Sequence, residues 1–205
     1  MALTTGALTT VAQVKALATD KDIIPAGHDA LIEFLIEAMS DRIEQYLGRT
    51  LERKAYVENY VGHGRQYLLL KQWPIVSVTY IKDGGSTVAA ADYTVLSEEG
   101  MVFKESGWTG GALELKALAL GEVHPNAVKF NLEVSYTSGY VTPNMAGTRN
   151  LPYDIELACA RLVWGMYKRR DKEGIARESA EGLSVDFDRW PADIVAILDQ
   201  YRRVG

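Results

Sequence analysis

Apolar positions along this 205-residue chain change period twice, from that of helices to that of strands and back. Thr10 and Gln13 stand at the spacing of a capping box, in which each side chain satisfies a free backbone N–H at the helix start. Val11, Val14, Leu17 and Ala18 then repeat on one face, which predicts a first helix from Thr10 to about Asp20. A second helix, over 28–47, carries Ile32, Ile36, Met39, Ile43 and Tyr46 at alternating steps of four and three. Leu31 and Leu35 widen that stripe, Glu33, Glu37, Asp41 and Glu44 take the wet side, and Gly48 is the expected C-cap.

From Lys54 the period becomes two. Ala55–Val61 and Gln66–Leu70 flank Gly62-His63-Gly64 and read as a hairpin. Pro74–Ile81 closes at Asp83-Gly84-Gly85, and Tyr93–Leu96 runs through Glu98-Glu99-Gly100 into Met101–Phe103. In the strongest strand, Val128–Thr137, the side chains of Val128, Phe130, Leu132, Val134 and Tyr136 share one face. Ala112–Leu120 suits a strand at Leu113 and Leu115, although its alanine and leucine content also permits a short helix.

The helical period returns over 152–169, with Pro152 at the favoured first position and Asp154 at the positive end of the macrodipole. Ile155, Cys159, Leu162 and Met166 form one apolar series, and Tyr153, Leu157, Ala160, Trp164 and Tyr167 a second. A narrow stripe through Asp154, Arg161 and Lys168 stays polar. A helix so apolar must be covered on most sides, and the expectation is that another chain supplies part of that cover. Gly174–Phe187 follows as an extended arm with Leu183, Val185 and Phe187 alternating along an apolar edge. It can fold back on its own sheet or add to a neighbour's surface by strand addition. A short helix from Pro191 to Arg203 ends the chain. The fold class expected is α+β: a small bundle of four helices, a β-rich insertion between helices 2 and 3, and an extended C-terminal arm. Segments 1–50 and 143–205 then make one structural unit and 51–142 the insertion.

Composition narrows the function more than the fold. Hydrophobic residues at 47% and charged residues at 24% are ordinary for a folded protein, and a chain this long buries roughly 70% of its unfolded surface. A formal net charge of −5 argues against a general nucleic-acid binder. No apolar run approaches the ~20 residues that span a bilayer, and no basic stretch precedes an apolar run as in a signal peptide. The expectation is a soluble protein made in the cytosol, with no membrane partner. Cys159, between Ala158 and Ala160, reads as a small core residue, since one thiol builds neither a disulfide nor a zinc site within the chain. His28, His63 and His124 lie too far apart in sequence to suggest a metal site. Glu98 and Glu99, as neighbours, point in different directions and read as a solvated turn, not an acid–base pair. Gly107, Gly110 and Gly111 around Trp108 match no phosphate-binding pattern. Neither an enzyme nor a bound cofactor is therefore expected. Lys168-Arg169-Arg170-Asp171-Lys172 reads either as cations capping a helix end or as a contact for an acidic neighbour or a DNA phosphate. Trp164, Tyr167, Arg169, Arg170, Leu183, Val185 and Phe187 are the candidate interface residues.

Several segments also resemble a known family. Glu44-Gln45-Tyr46-Leu47-Gly48-Arg49, closing the second helix, looks like the start of tailed-bacteriophage head–tail connector (adaptor, or head completion) proteins. So does the proline-led Pro74-Ile75-Val76-Ser77-Val78. Val134-Ser135-Tyr136-Thr137-Ser138-Gly139-Tyr140, followed by Leu151-Pro152-Tyr153-Asp154-Ile155 and Ala158, is similar to the family's strand-to-helix junction. Glu178-Ser179-Ala180-Glu181-Gly182-Leu183-Ser184-Val185 and Pro191 through Tyr201-Arg202-Arg203 resemble its closing arm and terminal helix. Residues 82–127 are enlarged relative to compact members, so the outer surface of the sheet is not assigned by the resemblance. What it implies is a virion structural protein at the head–tail interface: a dodecameric ring of copies beneath the portal protein, handing the DNA channel on to a stopper or tail-completion protein. Genomic DNA would pass without sequence-specific binding. The alternative function is a carbohydrate- or receptor-binding β module on a helical stalk, using Trp73, Trp108 and nearby tyrosines; a carboxylate-dependent hydrolase ranks third.

Overall fold

At the N-terminus, the Thr10 hydroxyl accepts from the Gln13 N–H at 3.2 Å and the Gln13 side chain accepts from the Thr10 N–H at 3.1 Å, so the capping box starts α1 (Val11–Ala16). The computed structural model describes residues 2–18, 24–110, 130–170, 177–180, 183–186 and 190–202. The chain divides into two compact units, one of Met1–Glu52 with Tyr140–Gly205, the other of Arg53–Gly139.

In the helical unit, α2 (Asp29–Leu47) buries Ile32, Ile36, Met39, Ser40, Ile43 and Leu47. Leu31 does not widen that stripe. At roughly 100° per residue it lies about 130° round the helix from the stripe's centre, with Phe34 nearly opposite, and the two are 39% and 62% exposed. Gly48 ends the helix in the left-handed region at φ 67°, where an L side chain is strained. Its N–H reaches Gln45 O and the Arg49 N–H reaches Glu44 O, both at 3.2 Å, which satisfies the last carbonyls in a Schellman motif. The irregular segment before α1 is held by side chains: Thr4 donates twice to Glu37, Leu8 N–H to Ser40 Oγ at 3.0 Å, and Asn144 Nδ2 to Thr9 O at 3.1 Å.

α3 (Tyr153–Arg169) buries Ile155, Glu156, Ala158, Cys159, Ala160, Leu162, Val163 and Tyr167. The cover expected from another chain comes instead from its own. Ala7, Leu8, Val14, the α2 seam, and Ile194 and Leu198 of α4 (Ala192–Asp199) join α3 in a single core. Among its large apolar side chains only Tyr153 and Leu157 stand exposed. Cys159 is fully buried in this core, and burial pushes its thiol up to about 12. Pro152 and Pro191 occupy the cap positions, one residue earlier than the first helical position, with extended ψ of 133° and 135°. α4 is tied to α3 by Tyr201, whose hydroxyl donates to Asp154 at 2.7 Å, and by the Arg161–Asp193 ion pair at 2.6 Å. It ends at Asp199, short of the expected Arg203.

Among the described residues the β unit holds two antiparallel sheets. β1 (Lys54–Tyr60), β3 (Ile75–Asp83), β4 (Ser86–Thr87) and β7 (Leu132–Ser138) lie in the order β1-β7-β3-β4; β2 (Tyr67–Leu69), β5 (Thr94–Leu96) and β6 (Met101–Phe103) lie in the order β2-β6-β5. Gly84 and Gly85, at φ 60° and 88°, make the β3–β4 turn with both central residues left-handed, the geometry that follows strand twist. β7 alternates as expected at Leu132, Val134 and Tyr136, all buried, but it starts at Leu132 and leaves Phe130 63% exposed. Ala112–Leu120 and Val128 lie outside the described residues.

One sequence expectation fails outright. β1 and β2 do not form a hairpin: β1 pairs with β7, Tyr56 opposite Tyr136, while β2 pairs with β6 in the other sheet. Gly62 serves a close backbone crossing, not a turn. Its N–H donates to Asn131 Oδ1 at 2.7 Å, while Asn131 Nδ2 donates to Thr109 O at 2.7 Å, so one amide clamps two passing strands of backbone. The C-terminal arm also differs from expectation. Arg177–Ala180 (β8) and Leu183–Asp186 (β9) pair with each other as a two-stranded antiparallel hairpin, Glu178 opposite Val185 and Ala180 opposite Leu183.

Candidate assembly surface

The register of the small sheet sorts its side chains into transverse rows. Leu68, Val102 and Val95 form the middle row; Leu68 and Val102 are buried, and Val95 packs against the same core. Tyr67–Phe103–Thr94 and Leu69–Met101–Leu96 form the rows on either side, which the strand period turns to the opposite face. An antiparallel sheet with one face on the core is expected to carry polar residues on the other. Here five of those six outward positions are apolar. Tyr67 and Leu69 are 56% and 54% exposed, and the Tyr67 and Phe103 rings meet at 5.2 Å. Tyr67 and Leu69 thus leave apolar side chains exposed on the outer face of this sheet. The residues singled out from sequence did not include it, although Tyr67-Leu68-Leu69-Leu70 is an unbroken apolar run of the type found in strands covered on both faces.

At the end of α3 the structure brings together several of the sequence-predicted residues. Trp164 is half-buried and stacks on Tyr167 with centroids 5.8 Å apart and planes 15° from parallel. Tyr167 is buried within the chain, and its hydroxyl lies 2.6 Å from His28 Nδ1. Lys168 sits 5.5 Å over the Trp164 ring and Arg170 4.1 Å over Tyr167. Arg170 Nη1 also donates to Tyr167 O at 2.8 Å, which gives the helix end its cationic cap. Arg169 is half-buried. Leu183 and Val185 lie on β9, and Phe187 falls outside the described residues.

Other polar groups serve the fold. In the β unit, Glu58 accepts from Tyr136 at 2.7 Å and from Tyr60. Burial, then these bonds to a carboxylate, hold both phenols well above their ordinary range. Asp83 accepts from Lys104 Nζ at 3.0 Å and Thr109 N–H at 3.1 Å. Burial raises its carboxyl, but the Thr109 and Lys104 bonds outweigh that and hold it below the usual carboxylate range. Trp108 is 2% exposed in the β core, so it offers no stacking platform to a sugar. Among the described residues no cluster of three or more His, Cys, Asp or Glu side chains is arranged to hold a metal, and no helix is long and apolar enough to cross a membrane.

The fold has counterparts among solved structures. It aligns over 100% of this chain and 94% of a chain in the neck of an empty gene transfer agent (GTA) particle computed with C6 symmetry, at TM-score 0.60 and 15% identity. A chain in the neck of the native GTA particle computed with C12 symmetry aligns at TM-score 0.56 and 16% identity, over 100% and 93% of the two chains. A chain of the native GTA virion gives 0.55 and 17%, over 100% and 94%. At such identity the likeness speaks for the fold alone. No individually curated protein matches the sequence. The profile of the family described as head completion protein matches residues 7–204, from the segment before α1 to beyond the terminal helix, and on that span the chain belongs to the head completion protein family.

Proposed function

We propose that the chain is a structural component of the virion neck, in which roughly 12 copies close into a ring that docks on the portal protein and hands the DNA channel to a stopper or tail-completion protein. The observation that carries this reading is the family match over residues 7–204 on a fold shared, over its full length, with neck chains of symmetric particles. The apolar outer face of the small sheet supplies surface for such contacts. So does the C-terminal hairpin, through Leu183 and Val185, with Phe187 just beyond it. At the end of α3, Trp164, Arg169 and Arg170 face the contact, and Tyr167 acts from inside by fixing Trp164 and Arg170. Copies carrying −5 each sum to about −60 around the bore, a charge that lets DNA slide without tight phosphate binding. No catalytic step is assigned to the chain.

The test is co-assembly. The purified protein is mixed with DNA-filled heads carrying the portal and imaged by cryo-electron microscopy. A ring of density at the portal vertex is expected. Density confined to tail tips or fibres, or none at the vertex, overturns the reading.

A further inference from the structure

Between the C-terminal half of α2 and α4 lies a groove of about 500 Å³ lined by Arg42, Gln45, Tyr46, Trp190 and Val195. The Arg42 guanidinium sits 5.5 Å over the Trp190 ring, the Trp190 and Tyr46 rings meet at 5.4 Å, and Arg202 sits 5.4 Å over Tyr46. Cation, ring, ring and cation therefore follow one another in a row. The Tyr46 hydroxyl donates to Asp199 at 2.6 Å, which fixes the ring's orientation. Arg42 and Arg202 are exposed, and among the described residues neither is held in an ion pair with a carboxylate.

We infer that this groove is a docking site for an acidic segment of a partner chain, one in which two carboxylates bracket an apolar side chain. The Arg42 guanidinium, stacked on Trp190, presents a planar N–H fork that takes a carboxylate through two parallel hydrogen bonds, while Arg202 also bonds the Tyr46 hydroxyl and offers its remaining N–H groups to the second carboxylate. The apolar side chain between the carboxylates settles on Trp190 and Val195. Trp, Tyr and Arg are also the residue types that carry most binding energy at protein interfaces. A phosphate backbone fits less well, because it carries no apolar side chain between its charges to settle on Trp190 and Val195. The groove lies within a single chain, so the isolated 205-residue chain serves for the test whether or not rings form.

The probes are a seven-residue peptide, Gly-Ser-Asp-Phe-Asp-Ser-Gly, and its counterpart with asparagine in place of both aspartates, each titrated calorimetrically. The aspartate peptide should bind about tenfold or more tightly than the asparagine peptide, and added salt should weaken it. Arg42→Glu and Arg202→Glu should each lower its affinity by about tenfold or more with an unchanged far-UV circular dichroism spectrum. Arg42→Gln serves as the milder variant if charge reversal perturbs the fold. Equal affinity for both peptides, no binding of the aspartate peptide, undiminished binding in the arginine variants, or tighter binding of a short single-stranded oligonucleotide would each overturn the assignment.

Discussion

An alanine at position 62 would place its Cβ 1.9 Å from the Thr109 carbonyl oxygen and 3.0 Å from Asn131 Nδ2. Ordinary contact begins at 3.4 Å, so the Thr109 carbonyl would have to retreat by about 1.5 Å. That carbonyl is not free to move. It accepts from Asn131 Nδ2, the Thr109 N–H donates to Asp83, and the preceding Trp108 N–H donates to Arg65 O at 2.9 Å. The retreat breaks the Asn131 bond to Thr109, and the amide, itself 3.0 Å from the added Cβ, must shift out of line with the Gly62 N–H, at up to about 1 kcal/mol each. Overpacking adds about 1–3 kcal/mol. The expected cost of Gly62→Ala is thus roughly 3–5 kcal/mol, a large share of the roughly 5–15 kcal/mol that hold a domain together. Urea unfolding at 25 °C, followed by tryptophan fluorescence to which buried Trp108 contributes, measures it. Gly64→Ala is the control: φ is +69° but nothing lies within 4 Å of the added Cβ, so it should cost only about 1 kcal/mol, from backbone strain. Asn131→Ala removes the same two bonds, so combining it with Gly62→Ala should cost about 1–2 kcal/mol less than the sum. A Gly62→Ala protein within 1 kcal/mol of wild type, or no less stable than Gly64→Ala, refutes the crossing geometry.

Three further outcomes are expected. Tyr67→Asp with Leu69→Asp should leave a folded monomer, because both side chains are more than half exposed, yet abolish incorporation at the portal vertex. Analytical ultracentrifugation and vertex imaging check the two halves separately, and normal incorporation removes the sheet face from the proposed interface. Tyr201→Phe deletes the hydroxyl's hydrogen bond to the Asp154 carboxylate, whose oxygens lie 2.8 and 2.7 Å away; the partly exposed site should lose about 1–2 kcal/mol, seen as faster amide exchange across α4 relative to α2. Asp83, whose folded carboxyl is held below the ordinary aspartate value, contributes stability that is full above that value and is lost as pH falls through the lower folded one. Asp83→Asn should therefore destabilise the β unit at pH 7 and flatten its acid limb below about pH 4, in urea titrations at stepped pH. An unchanged acid limb would mean that the Lys104 and Thr109 contacts do not stabilise the carboxylate.

Local chemistry made the helices legible. The seam from Ile32 to Ile43 and the caps at Thr10 and Gly48 are encoded within a few residues of where they act. Strand pairing was not legible in the same way. Gly62-His63-Gly64 has the look of a turn, but β1 finds its partner in β7, far along the chain, through a core that includes Leu132, Val134 and Tyr136. Sequence alternation cannot tell which strand lies alongside. The reverse error occurs at the C-terminus, where β8 pairs with β9 although the sequence there has no Asn-Gly or Asp-Gly, the signature that announces a tight hairpin. The row of Arg42, Trp190, Tyr46 and Arg202 was beyond reach for the same reason as the β1 pairing. Its members come from α2 and from the residues that flank α4, separated by most of the chain, and no periodicity links them. Trp164 and Tyr167 were picked out because α3 looked over-apolar; they meet as a stacked pair, but with Tyr167 turned into the core.

The burial of α3 changes where assembly surface must be sought. Its apolar circumference is used up within the helical unit, against Leu8, Val14, Ile36 and Leu198 among others. Along the body of the helix a partner copy therefore gains little beyond Tyr153 and Leu157, and what else α3 offers lies at its end, at half-buried Trp164 and Arg169 and exposed Arg170. Closing a ring head to tail requires two different patches on one chain, each complementary to the other. Surface of that kind is present on the outer face of the small sheet in the β unit, and at Leu31 and Phe34 of α2 in the helical unit. These patches stand exposed on a chain whose two cores are already filled, so folding should precede assembly and not wait for it. Charge placed in the α3 core, as in Val163→Asp, should then unfold the monomer, because an unpaired buried carboxylate costs several kcal/mol. Charge on the sheet face should instead leave the monomer intact and block only the ring. If both substitutions produced the same unfolded monomer, the sheet face would be part of the chain's own core, and the surface that joins copies would have to lie elsewhere.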